Sequence, residues 1–161
     1  MSDHFDAAFL RTIRHEGGLS LDPNDRGNWT SGVIGQGELK GTKYGIASHI
    51  YPDLDVRNLT LEQAKELYRR DYWDRAGCDR LEDEDIAAKV FDLAVNGGIR
   101  RAVEILQAAI NFLTPREREV TLDGSLGPGT AAAANALDPR DLLLALKGEH
   151  YVFYRGLVQS G

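Results

Sequence analysis

The sequence predicts an α+β fold, predominantly α-helical, with a small β-containing segment directly after the first helix. Apolar residues recur at helical spacing over residues 3–16 and again from Leu61 onward. Between these stretches, from Leu19 to Tyr44, Gly, Asn, Asp and Ser interrupt short apolar runs, the pattern of turns and a small irregular sheet. With 161 residues, 42% of them apolar and 27% charged, the chain fits a single globular domain whose core needs no staple or metal.

Phe5, Phe9 and Ile13 lie four residues apart and give the first helix its apolar stripe, which Gly17-Gly18 stops. Glu16 therefore falls in the last turn. Thr60 and Gln63 form a capping box for a second helix that carries Leu61, Ala64, Leu67 and Tyr68 toward Tyr72-Trp73 and ends by Gly77. Ile86, Val90, Leu93 and Ala94 mark a third helix, stopped at Asn96-Gly97-Gly98. A fourth, central and buried, presents Val103, Leu106, Ile110 and Leu113 before Thr114-Pro115 breaks it. Thr130 is placed to cap an alanine-rich helix, and Asp138-Pro139 opens a last one through Tyr154.

Charge and composition exclude several functions. Nineteen Lys and Arg against twenty-five Asp and Glu leave a net charge of -6, without the broad basic footprint of a nucleic-acid binder. No apolar run is long enough for stable membrane insertion. The single cysteine, Cys78, forms no internal disulfide, and the N-terminal stretch carries acids and a histidine where an export signal needs positive charge and then apolar residues. Synthesis in the cytoplasm without a signal peptide is the expectation. His4, His15, His49, His150 and Cys78 show no zinc-ligand spacing, and GSLG lacks the residue that a nucleophile elbow places between Gly and Ser. A calcium loop starting at Asp22 fails at Arg26, its fifth position, and at Val33, where a glutamate belongs.

Two carboxylates stand out. A glutamate at a helix C-terminus meets the negative end of the helix dipole, which disfavours its charged form; burial in a cleft adds to the effect. Such a group serves as the general acid in glycosidic cleavage, and Glu16 holds that position, although by helix position alone it reads first as a solvated side chain before a glycine cap. A glycosidase also needs a second polar group, and Asp25 in the turn Asp22-Pro23-Asn24-Asp25 is the candidate, although an aspartate there, taken alone, reads first as a turn former. Trp29 and Tyr44, flanked by glycines and polar residues, are candidate platforms for sugar faces. Trp73 fits a core as well as a cleft and is kept as a third candidate. Asn96 reads first as a helix cap, and Asp123 as a turn residue.

The strings HEGGLSLDPNDRGNWTSG, GELKGTKYGIA, FDLAVNGG and LDGSLGPGT resemble glycoside hydrolase family 108, over most of the chain. The resemblance implies a lysozyme-like domain over residues 1–161, with the catalytic part in 1–95 and a helical, predicted peptidoglycan-binding part of the same globule in 96–161. It implies an N-acetylmuramidase, often a bacteriophage endolysin, with Glu16 of the Glu-Gly-Gly motif as acid. The broader phage-lysozyme pattern puts the other catalytic roles on Asp25 and Thr42, and the resemblance gives Asn96 a place in the cleft lining. Lytic transglycosylase activity, or wall binding without cleavage, are the alternatives. No cofactor is expected. The expected partner is the peptidoglycan glycan strand, reached in the periplasm through a holin or another export route, by a chain expected to be monomeric.

Overall fold

The computed structural model describes residues 4–13 and 18–160. They form six α-helices and one two-stranded sheet, and the chain divides into two compact units, residues 9–68 and residues 1–8 with 69–161. The predicted class is the one observed: predominantly helical α+β with its small β segment after the first helix. Helix α1 (His4–Ile13) buries Phe5 and Phe9 on one face, as their spacing requires.

In the unit of residues 9–68, turns dominate until the hairpin of β1 (Thr42–Lys43) and β2 (Ile46–Ala47), paired Thr42 to Ala47 and Lys43 to Ile46. Tyr44 and Gly45 connect them, with φ of 51° and 75°. Positive φ at both positions is the type I′ geometry whose twist matches antiparallel strands. Helix α2 (Leu61–Tyr68) starts at the predicted capping box: Gln63 N donates to Thr60 Oγ1 (3.2 Å) while Thr60 N donates to Gln63 Oε1 (2.9 Å).

The other unit is a helical bundle. It opens with a π-helical stretch, Arg69–Asp74, followed by α3 (Glu84–Gly97), α4 (Ile99–Leu113), α5 (Pro128–Asn135) and α6 (Pro139–Ser160). Asp83 caps α3 by accepting from Asp85 N and Ile86 N, both at 3.0 Å. Gly98 alone joins α3 to α4; its φ of 89° is open only to glycine without strain. Helix α4 buries Val103, Leu106 and Ile110, the central position read from the sequence. Among the described residues, no helix is long and apolar enough to cross a membrane.

Thr130 does not cap α5. Pro128 takes the first helical position, where its missing N–H is harmless and its fixed φ is already helical, and Gly127 takes the cap position in place of Thr130. Thr130 instead belongs to a buried polar knot around Gln107, which is fully inaccessible to solvent. Gln107 Nε2 donates to Asp123 Oδ1 (2.8 Å), Ser125 O (3.1 Å) and Thr130 Oγ1 (3.3 Å), and its Oε1 accepts from Gly124 N (2.9 Å). The Gln107 bond, with a second from Ser125 N, holds the Asp123 carboxyl below its ordinary pKa. That stabilising contribution is present above the ordinary aspartate range and fades as pH falls through the lowered value. Gln107→Leu keeps the bulk but strands Gly124 N, so thermal or urea unfolding should show a loss of about 1–3 kcal/mol.

Candidate functional site

Four of the residues singled out in the sequence gather in the unit of residues 9–68. Its loops are clamped by Asn28, which is fully buried: Nδ2 donates to Ser20 Oγ (3.3 Å) and Asp22 O (3.0 Å), and its backbone carbonyl accepts from Lys40 N (3.1 Å) and Gly41 N (3.0 Å). Ser20 and Thr42 exchange backbone hydrogen bonds at 2.8 and 3.0 Å, and Trp29 bridges to Leu39. The segments around residues 20–29 and 39–49 thus lie side by side and carry Asp25, Trp29, Thr42 and Tyr44 on one platform.

Asp25 is exposed and precedes a short 3-10 turn, Arg26–Asn28, where its Oδ1 accepts from Gly27 N at 2.8 Å. No other described group bonds this carboxylate. The turn-former reading and the candidate reading are therefore compatible, because one oxygen fixes the turn while the other has no hydrogen bond among the described residues. A Cβ on Gly27 would stand 3.2 Å from Asp25 Oδ1, 3.6 Å from His49 Nδ1 and 3.8 Å from Ala47 Cβ, so its absence lets carboxylate, imidazole and β2 converge. His49 is the residue that sequence reasoning missed; a lone histidine in a turn carries no signal of what faces it. His49 N also donates to Gly27 O (3.2 Å), and Ser48 bonds Gly41 O through its hydroxyl.

Thr42 is half-buried in β1, its partner Ala47 bordering Gly27. Trp29 is half-buried with its indole N–H donating to Pro23 O (2.9 Å), which fixes the ring beside the Asp22-Asp25 turn. Tyr44, at the tip of the hairpin, is held by Tyr68 Oη donating to its carbonyl (3.0 Å) and has Lys43 Nζ 5.4 Å from its ring centroid. Glu16 lies outside the described residues, so the platform is described without it.

The remaining candidates belong to the helical unit. Trp73 is fully buried, with Phe5 and Phe91 in edge contacts at 5.4 and 5.7 Å and its N–H donating to Asp79 Oδ1 (2.6 Å). A ring so enclosed offers no face to a sugar, which corrects its candidacy as a platform: Trp73 is core. Asn96 is exposed near the end of α3, donating to Asp92 O (2.9 Å) and Asp92 Oδ1 (3.1 Å). It lines a cavity of about 70 Å³ with Arg101, His150, Phe153 and Tyr154. Arg101 stacks 4.3 Å from the Phe153 centroid, and burial, then the Lys89 charge, holds His150 below its ordinary pKa.

Among the described residues no three His, Cys, Asp or Glu gather as a metal site. Cys78 is buried and its pKa is pushed up to about 12 by burial and by the charges of Asp79 and Asp74, which keeps it an unreactive thiol.

The family profile of glycosyl hydrolase 108 matches residues 9–98, more than half of the chain and all of the platform just described. The chain belongs to this family. Among solved structures, SagA from Brucella abortus is similar, with 25% sequence identity over 94% of this chain and 80% of that one, at a TM-score of 0.69. No curated protein matches the sequence. Family 108 membership makes glycosidic bond hydrolysis the class of activity, on a lysozyme-like α+β fold.

Proposed function

We propose that this family 108 protein is a peptidoglycan hydrolase, an N-acetylmuramidase that cleaves the β-1,4 bond between N-acetylmuramic acid and N-acetylglucosamine. The observation that carries the reading is the family match over residues 9–98, a span holding both Glu16 of the Glu-Gly-Gly motif and the Asp25 platform. Glu16 protonates the bridging oxygen, and Asp25, through the oxygen that Gly27 leaves unused, positions or activates water. Thr42 supports that water from the adjoining strand. Trp29 and Tyr44 stack on sugar faces, and Asn96, in the helical unit, offers its amide to polar sugar groups. The chain acts as an endolysin, made in the bacterial cytoplasm and carried to the wall through a holin or another export route.

Digestion of purified sacculi tests this. Soluble fragments with new reducing ends are expected; anhydro ends would instead mark a transglycosylase, and binding without release would overturn the enzyme reading. Asp25→Asn sharpens the test, because asparagine retains the acceptor oxygen for Gly27 N and removes only the charge. Its circular dichroism should match wild type while fragment release falls by roughly 10²-fold or more. Full activity in this variant would remove Asp25 from the mechanism.

A further inference from the structure

Helix α6 turns two opposite apolar faces outward from its axis. One, with Leu142 and Leu146, is buried. The other carries Leu144, Tyr151 and Val152, which are 72%, 68% and 53% exposed, beside the 74% exposed Phe112 of α4. Together they line an open groove of about 470 Å³. Large apolar groups gathered on one surface normally mark a contact with something else.

The pattern along this face says what that is. At about 100° per residue, Leu144, Val152 and Tyr151 all fall within about 60° of Gly148, and so do Asp141 and Arg155, whereas Leu146 points nearly opposite. Gly148 has no visible reason within its own chain. A Cβ there would meet nothing within 4 Å, yet a glycine inside a helix costs about 1 kcal/mol relative to alanine. The face is also symmetric about this residue. Leu144 and Val152 stand four residues to either side, and Asp141 and Arg155 seven. Among the described residues neither Asp141 nor Arg155 has an ion-pair partner.

We propose that this face binds a second copy of the chain, with the two α6 helices antiparallel and crossing at Gly148. A twofold axis through that crossing sets Asp141 of each copy opposite Arg155 of the other and Leu144 opposite Val152. The glycines allow the two backbones to approach closely, and Phe112 and Tyr151 close the sides of the contact. The patch is self-complementary in charge, which a groove for an acidic or a basic partner would not be. Its limited size makes the dimer concentration-dependent. This departs from the monomer expected from the sequence, and it does not depend on the proposed hydrolase activity.

Sedimentation equilibrium of the full chain from micromolar to several hundred micromolar tests the proposal. The mass should rise from 17.8 kDa toward twice that value. Leu144→Glu should leave only monomer with an unchanged circular dichroism spectrum, since its side chain is exposed. Asp141→Arg and Arg155→Asp alone each set like charges together twice and should raise Kd by about tenfold or more; combined, they restore the pairing with its sign reversed and should return Kd to within a few-fold of wild type. A monomer at every concentration overturns the proposal. So does a dimer whose Kd ignores the charge exchange, because another surface would then make it.

Discussion

Glu16→Gln is expected to reduce release of glycan fragments by about 10²–10⁴-fold while leaving the unfolding midpoint of the protein unchanged. The two side chains have the same shape, but the amide cannot supply a proton to the leaving oxygen, so the departing sugar must leave as an alkoxide. A second signature separates this role from a binding role. An acid must be protonated to act, so wild-type activity falls as pH rises through its pKa, and the variant's residual activity should lack that alkaline limb. Affinity for sacculi should be retained, because protonation at the scissile bond is needed in the transition state and not for binding. A variant that keeps more than about a tenth of the wild-type rate would remove Glu16 as the acid, whatever the fate of the muramidase reading.

The elements that the sequence made legible are those whose signals are local. Thr60 and Gln63 sit three residues apart and satisfy each other, so the start of α2 follows from two residue types. The stop at Gly98 and the buried stripe of α4 are equally local, one a matter of φ and the other of period. At the platform, the acidic turn marked Asp25 and the Gly- and Asn-rich run marked a small irregular sheet, but nothing local placed His49 beside them. Their approach is set by Gly27, whose missing side chain is informative only once three segments are known to meet there. Thr130 shows local signals in conflict: a good capping residue lost to a proline two positions earlier, then was recruited by Gln107 from another helix. The outward face of α6 was not read from the sequence, because an apolar period that matches no core looks like scatter until the core is known.

Trp73→Ala should destabilise the protein by about 3–5 kcal/mol, among the largest effects available to a single substitution in this chain. The ring is fully buried between Phe5 and Phe91, two residues that also meet each other edge to face at 5.7 Å, so its removal opens a cavity at the centre of an aromatic cluster. Its place was hidden from the sequence because Trp73 lies in the π-helical stretch Arg69–Asp74, where the wider turn shifts the side chains out of the period set by α2. Trp73→Phe separates volume from hydrogen bonding. Phenylalanine keeps much of the packing and loses the bond to Asp79, whose side chain is 60% exposed and regains water, so the cost should be a fraction of the alanine value. Urea unfolding of the two variants gives the comparison, with glycan affinity measured on the folded population. A sugar platform would show the reverse pattern, in which alanine leaves the midpoint where it was and weakens binding; the enclosure by Phe5 and Phe91 argues for the loss of stability.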